Sequence, residues 1–195
     1  KLYTKRQGDG ETAMITPFNF SSLPRTPWKN GGGETREIVS VPSPDADAPF
    51  LWRASIATLE HDGPFSRFSG IDRVITLIEG QPLWLRGEGI HHHLRRWEPW
   101  TFSGEWALGS EGISAPGLDF NIMTQRTRAA AQVSVVSGEQ HPGNEGIAWV
   151  LQGCWQLAGE RYDARSGLWW QSQSPGALIP LSPDARLLLT GITRR

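Results

Sequence analysis

The sequence has almost no cysteine, since Cys154 is the single one in 195 residues. One cysteine excludes an internal disulfide framework and any zinc or iron–sulfur site built from several cysteines. No apolar run approaches the ~18 residues that a membrane-spanning helix needs. These absences predict a cytoplasmic protein with no membrane partner.

An excess of either charge is also missing. The chain carries 19 Lys and Arg against 20 Asp and Glu, which gives a formal net charge of −1. Proteins that hold nucleic acid through its phosphates need a basic surface, and the sequence has neither a basic patch nor a helix-turn-helix pattern. We therefore expect no direct binding of nucleic acid.

Glycine, proline and tryptophan are abundant instead, with 22, 14 and 10 copies. Glycine and proline are poor residues for helix interiors and common residues of turns. Each tryptophan needs apolar packing and, when buried, an acceptor for its indole N–H. This composition favours an all-β fold around a lined cavity and argues against a helical bundle.

Short strand patterns separated by turn residues run along most of the chain. Their number and spacing are typical of a β-sandwich or β-barrel. The only stretch of helical character is short, at residues 124–131. The predicted strands lie at residues 37–41, 50–59, 73–79, 118–123, 131–136, 147–151 and 186–192.

The strand at residues 50–59 alternates in polarity, so its side chains divide between two faces. Trp52 lies on an apolar face with Ala54, and Arg53 lies on the other face with Ser55. The alternation leaves open which of the two faces points into the fold. An inward Arg53 would need an anionic partner, because an unpaired buried charge is very costly.

A strand, a glycine turn and a second strand occur twice along the chain. Residues 74–80 (VITLIEG) precede Trp84, and residues 147–153 (IAWVLQG) precede Trp155. This faint repeat indicates two related β-units, although two hairpins of similar design would give the same pattern.

Five segments carry a more specific pattern, namely residues 27–38 (PWKNGGGETREI), 52–57 (WRASIA), 65–70 (FSRFSG), 73–80 (RVITLIEG) and 119–123 (DFNIM). Together and in this order they resemble the HutD/Ves family. The resemblance extends over residues 14–195 and implies a bicupin, two cupin-like jelly-roll β-barrels packed as one compact unit. The first cupin-like half would span about 14–125 and the second about 126–195. Residues 1–13 are polar and have no apolar period, so we expect a disordered leader or extension, although a frayed native N-terminus fits them equally well.

The family resemblance also implies a function. The protein is expected to bind a small organic acid without catalysis and to modulate histidine utilisation, with urocanate or N-formylglutamate as candidate ligands. No cofactor is implied, and a homodimer is compatible with the sequence. The alternative is a metal-independent hydrolase or isomerase acting on an acid of the same pathway. In that enzyme Glu34 or Asp119 would be the general base and His92 a proton shuttle.

Cations, aromatic rings and polar side chains of these segments form the candidate anion site. An arginine guanidinium can donate two parallel hydrogen bonds to a carboxylate, and an indole ring can stack on a planar ligand. The glycines at 31–33 would let the backbone approach the ligand, although an ordinary surface turn with a Glu–Arg pair fits the same segment. The predicted ligand-binding residues are Trp28, Asn30, Glu34, Arg36, Trp52, Arg53, Arg73, His92, Asp119 and Asn121.

The run His91-His92-His93 offers three imidazole side chains, which are common ligands of transition metals. Metal-binding cupins, however, place a His-x-His pair before the central hairpin, where this chain has Phe65, Ser66 and Phe68. We therefore predict no metal site, and we expect one histidine, His92 by its position in the family pattern, to reach the pocket.

Overall fold

The computed structural model of the protein describes residues 3–7 and 11–195, with side chains from residue 14 onward. The described residues form strands, one 3₁₀ turn at Phe20–Ser22, and no α-helix. No helix in this part of the chain has the length and apolar character to cross a bilayer. The prediction of an all-β fold is confirmed.

The strands are short, as the spacing of turn residues predicts. In chain order they are β1 (Tyr3–Gln7), β2 (Glu11–Asn19), β3 (Arg25–Pro27), β4 (Gly33–Val41), β5 (Trp52–Leu59), β6 (Gly63–Pro64), β7 (Ile71–Glu79), β8 (Leu83–Gly87), β9 (Ile90–Leu94), β10 (Trp100–Ser103), β11 (Gly109–Glu111), β12 (Gly117–Gln125), β13 (Ala129–Val136), β14 (Gly146–Gln152), β15 (Cys154–Leu157), β16 (Glu160–Asp163), β17 (Ser166–Gln171), β18 (Ile179–Pro180) and β19 (Arg186–Arg194).

The chain divides into two compact units. We call Pro24–Ala131, with the last two residues, the N-terminal unit, and Gln132–Thr193, with the segment ending at Leu23, the C-terminal unit. The predicted halves, 14–125 and 126–195, differ from these units because β2 pairs with β17 and so joins the second one. The predicted leader at 1–13 lies partly outside the described residues, and its described part pairs as β1 and the start of β2.

The N-terminal unit consists of two sheets. Their strand orders are β10-β7-β12-β5-β4-β3 and β6-β11-β8-β9. Alternating apolar side chains from both sheets form one buried cluster, and each fully buried leucine contributes roughly 1.5–3 kcal/mol of hydrophobic free energy. The cluster contains Leu59, Ile75, Leu77, Leu83, Leu85, Leu94, Phe102 and Leu108.

The C-terminal unit also has two sheets, β1-β2-β17-β14-β19-β13 and β16-β15-β18. Its core is filled by large side chains, including the fully buried Trp155 and Trp170. The indole N–H of Trp170 donates to the Gly143 carbonyl at 3.0 Å, which satisfies its buried donor.

The predicted strand–glycine–strand repeat is present in both units. Gly80 separates β7 from β8 with φ +107°, and Gly153 separates β14 from β15 with φ +71°. Residues with a Cβ rarely adopt these backbone angles, so both turns require glycine. Space is also restricted, because a Cβ on Gly80 would lie 2.8 Å from the Gly117 Cα.

The expected short helix at residues 124–131 is wrong, because residues 124–125 end β12, residues 126–128 form a turn, and residues 129–131 begin β13. The Arg128 N–H donates to the Gln125 carbonyl and closes the turn at 2.9 Å. Arg126 anchors it through ion pairs with Asp72 at 2.7 Å and Glu105 at 2.8 Å. These contacts come from residues distant in sequence, so local helical character could not reveal them.

Candidate functional site

The N-terminal unit contains a cavity of about 710 Å³. This volume lies within the roughly 300–1,000 Å³ of pockets that bind small molecules. The lining combines apolar, aromatic and charged side chains. It is formed by Thr26, Pro27, Trp28, Lys29, Asn30, Thr35, Glu37, Arg53, Ser55, Ala57, Leu59, Pro64, Phe65, Ser66, Phe68, Arg73, Ile75, Asp119, Asn121 and Met123.

The floor of the cavity is one face of the six-stranded sheet. Every second residue of β5 lines it, from Arg53 through Ser55 to Ala57. Trp52 precedes this series, and its side chain is fully buried, with 0% exposure. The prediction that Trp52 stacks on a ligand is therefore wrong, because the period of two places it on the opposite face.

Arg73 of β7 is a buried cation, with only 7% of the residue exposed. Its guanidinium donates to the Ser66 carbonyl at 3.0 Å. The guanidinium carbon lies 4.9 Å from the Phe102 ring centroid and 5.4 Å from that of Phe68. Its Nε has no hydrogen-bond partner. Burial lowers the pKa of Arg73 to about 10, so the side chain stays positive at neutral pH.

A second arginine in the cavity is already paired. The Nε of Arg53 donates to a carboxylate oxygen of Glu37 at 2.8 Å. Glu37 is absent from the residues that we predicted from the sequence. The alternation along β4 could have identified it, because Thr35 and Glu37 face the cavity together.

Asp119 and Asn121 of β12 form a buried polar pair, with 1% and 7% of each residue exposed. The Asn121 amide donates to Oδ1 of Asp119, whereas Oδ2 of Asp119 has no partner. Burial raises the pKa of Asp119 to about 7, although the Asn121 hydrogen bond and the charge of Arg73 both lower it. A carboxyl group of this kind exchanges a proton near neutral pH.

This shift predicts a pH-dependent difference in stability between the wild type and Asp119→Asn. The pKa is higher in the folded state, about 7, than its usual 3.8, so folding favours the protonated group. The resulting stabilisation is complete below about pH 4 and is lost as the pH rises through about 7. Urea unfolding at a series of pH values should show the wild type losing on the order of 2–4 kcal/mol relative to Asp119→Asn over this range. A constant difference would contradict the buried, protonated carboxyl.

Trp28 and Asn30 stand on the wall of the cavity, next to the turn that precedes β4. The Trp28 indole N–H donates to Oγ1 of Thr35 at 2.8 Å, which fixes the ring while leaving it half-buried. The Oδ1 of Asn30 accepts a hydrogen bond from the Gly32 N–H at 2.8 Å, and Asn30 is exposed. The amide of Asn30 is therefore partly used in shaping the turn.

The glycine run has a structural explanation. Gly31 has φ +74°, a left-handed angle in the turn between β3 and β4. A Cβ on Gly33 would lie 2.2 Å from the Thr58 carbonyl oxygen of the neighbouring strand. The close approach that requires glycine at 33 is made by the protein's own backbone, so this part of the segment is a tight hairpin.

Glu34 and Arg36 do not line the cavity. They share the other face of β4, where their side chains approach to 3.8 Å. The prediction that Glu34 and Arg36 bind the ligand is corrected, because alternation along β4 directs Thr35 and Glu37 toward the cavity instead.

The histidine run lies outside the cavity as well. The His92 ring stacks on Trp100 with centroids 4.3 Å apart and an interplanar angle of 6°. On the other face of β9, His91 and His93 stack on Trp84 at 4.1 and 4.4 Å. The prediction that His92 reaches the pocket is therefore corrected, since its side chain packs on an aromatic neighbour. Within residues 14–195, no cluster of His, Cys, Asp and Glu has the arrangement of a metal site.

The structure thus brings together six of the ten predicted residues, namely Trp28, Asn30, Arg53, Arg73, Asp119 and Asn121. Phe65 and Phe68 beside Arg73 were not predicted as site residues. Their positions, where metal cupins carry a histidine pair, were the sequence signal that could have identified them.

Comparison with solved structures identifies the fold. The chain is similar to HutD from Pseudomonas fluorescens SBW25, with a TM-score of 0.79 and 29% identity over 93% of this chain and 99% of that one. A conserved protein of unknown function from Pseudomonas aeruginosa PAO1 gives a TM-score of 0.77 and 26% identity, over 91% and 98% of the chains. A cupin 2 conserved barrel domain protein from Leptotrichia buccalis, at 10% identity and a TM-score of 0.58 over 92% and 96% of the chains, supports the cupin fold alone.

Curated relatives agree with this result. Protein Ves of Cronobacter sakazakii is 41% identical over 180 residues, which cover 90% of this chain and 97% of that protein. Protein Ves of Citrobacter koseri is 38% identical over 182 residues, or 90% and 93% of the two proteins. The family model HutD matches residues 20–188. The chain therefore belongs to the HutD/Ves family and has its cupin-type fold.

Proposed function

We propose that this protein binds a small carboxylate in the N-terminal cavity without transforming it, and that it thereby modulates histidine utilisation in the cytoplasm. The observation that carries the proposal is Arg73, a buried cation on the cavity floor with an unpartnered Nε. The ion pairs of the described residues include Arg53 but not Arg73.

A buried guanidinium without a paired anion is unfavourable, because burial removes its hydration. The phenyl rings of Phe65, Phe68 and Phe102 compensate for part of this loss through cation–π contacts. A ligand carboxylate would compensate for more, since a charge-assisted hydrogen bond in a low-dielectric site is about twice as strong as a neutral one. An anion is therefore the ligand class that this cavity favours.

The remaining lining favours a planar or partly unsaturated acid. The half-buried ring of Trp28 offers a stacking surface, and the amide of Asn121 offers polar contacts at the floor. Of the two candidate ligands, urocanate is a planar, unsaturated acid, whereas N-formylglutamate is a flexible dicarboxylate that suits the anion site but not the stacking surface. Their names come from the pathway associated with the family and not from the cavity itself.

The alternative, catalysis on such an acid, has one supporting observation. Asp119 is a buried carboxyl in a cavity with its pKa raised to about 7, which is the property of many general bases. The proposed partners Glu34 and His92 are not cavity residues, so an enzyme would have to use Asp119 with groups other than these. We therefore favour binding without turnover.

Calorimetric titration with urocanate and N-formylglutamate tests this proposal. We expect saturable binding of at least one acid, with the acid recovered unchanged by chromatography after prolonged incubation. Arg36→Ala is the matched control, because it removes a cation near the cavity that does not line it, and its affinity should stay within about twofold of the wild type. Failure to bind either acid would overturn the proposal, and product formation lost in Asp119→Asn would favour the enzyme.

A further inference from the structure

We infer that the cavity takes up its carboxylate together with one proton, which Asp119 accepts, so that the affinity for the acid falls in alkaline solution. The inference rests on the proposed function and adds a proton linkage to it. It assigns to Asp119 a positioning role, in which its charge state sets the affinity without contact with the ligand.

The geometry places Arg73 and Asp119 on the floor of one cavity without an ion pair between them. Arg73 is in register with Met123, and Asp119 is in register with Leu77. Along β12 the two positions are thus four residues apart, or about 13 Å at ~3.3 Å per residue. Asn121 lies between them on the same face. The charge of each side chain acts on the other, and the cavity that they share, about 710 Å³, has room for a small molecule.

Asp119 and Arg73 are both buried, and each has one polar atom without a hydrogen-bond partner. Asp119 is 1% exposed with Oδ2 unpartnered, and Arg73 is 7% exposed with Nε unpartnered. In such a site one negative charge near the guanidinium is favourable. A second negative charge is opposed by desolvation and by repulsion from the first. A bound carboxylate supplies the one charge, and Asp119 then becomes neutral by binding a proton from solvent.

The other charged groups of the cavity do not take this role. Glu37 on β4 is paired with Arg53 on β5 at 2.8 Å and is exposed, so the guanidinium and water both stabilise its charge. Lys29 stands at the exposed wall as a cation. On its own strand Asp119 faces Asn121, which does not titrate. The raised pKa of Asp119, about 7, supports a proton equilibrium within the accessible pH range.

The expected effect follows from this equilibrium. Near pH 6 Asp119 is already largely protonated, so it takes up almost no proton when the acid binds. Above about pH 7 Asp119 of the free protein has lost this proton, and binding must restore it from solution. The proton concentration of the solution falls tenfold with each pH unit, so binding becomes weaker as the pH rises. The dissociation constant for urocanate should therefore rise by about 10- to 30-fold between about pH 6 and pH 8.5.

Calorimetry on the wild type measures this linkage without any variant. Urocanate is titrated at about pH 8.5 in two buffers that differ in ionisation enthalpy, and the difference in heat gives the protons taken up. We expect close to one proton per urocanate bound at this pH, where the imidazole of free urocanate is already neutral and does not contribute to the proton count. Equal heats after correction, with binding still measurable, would overturn the inference and leave the proposed function intact.

Two variants locate the proton. Asp119→Asn should bind urocanate with an affinity independent of pH, and more tightly than the wild type at about pH 8.5, because its amide is neutral throughout. Glu88→Gln removes an exposed carboxylate on the turn between β8 and β9 and should keep the pH dependence of the wild type. A pH dependence that persists in Asp119→Asn would assign the proton elsewhere and refute the inference. Absence of binding in all proteins at both pH values would instead remove the proposed function, and the inference with it.

Discussion

Replacing Arg73 by methionine is expected to weaken the binding of urocanate by about 10- to 150-fold, corresponding to the roughly 1.5–3 kcal/mol of a hydrogen bond to a charged group. The protein should remain folded, because methionine fills a similar volume and its thioether packs well against aromatic rings. Those rings are Phe65, Phe68 and Phe102, which surround the guanidinium in the wild type. Calorimetry with urocanate measures the affinity, and urea unfolding measures the stability.

Arg86→Met is the matched control for this experiment. Arg86 belongs to the same unit and forms an ion pair with Glu111 at 2.6 Å, but it is exposed and does not line the cavity. Its loss changes the net charge by the same amount and should alter the affinity by less than about twofold at physiological salt, because exposed charges are screened. Equal losses in both variants would mean that the effect is general electrostatics and would count against a specific role of Arg73.

Truncation of Trp52 to alanine is expected to lower the free energy of unfolding by about 3–5 kcal/mol, the usual cost of removing a large buried aromatic side chain. The side chain is completely buried, on the face of β5 opposite to the cavity. The protein that remains folded should bind urocanate with the wild-type affinity. Thermal or urea unfolding, together with calorimetry below the unfolding transition, separates the two effects.

Trp106→Ala provides the comparison, since Trp106 is 44% exposed. Its loss should destabilise the protein by less than about 1 kcal/mol, because surface substitutions away from core features have small effects. A small effect of Trp52→Ala on stability, combined with a clear loss of affinity, would support the stacking role that the structure does not favour.

The strands could be predicted from the sequence because their cues are local. Turn residues bound each run, and the seven predicted segments overlap β4, β5, β7, β12, β13, β14 and β19. Local cues also identified the glycine turns at Gly80 and Gly153, which have positive φ. The assignment of β2 to the C-terminal unit could not be predicted, because it depends on pairing with β17, well over a hundred residues further along the chain.

The candidate site could be predicted only in part, because alternation defines two faces but not which one is inside. On β5 the polar face with Arg53 proved to line the cavity, and the apolar face with Trp52 proved to be buried on the other side. On β4 the conspicuous charges of Glu34 and Arg36 suggested a site, but their neighbours at 35 and 37 point inward. The phase of a strand relative to a cavity depends on its partners in the sheet and not on its own sequence.

The crystal structure of the protein with urocanate tests the central claim most directly. We predict the acid in the N-terminal cavity, with a carboxylate oxygen about 3 Å from the guanidinium of Arg73 and its planar part near the Trp28 ring. Urocanate bound away from this cavity, or inside it with its carboxylate directed away from Arg73, would contradict the claim that Arg73 is the anion site.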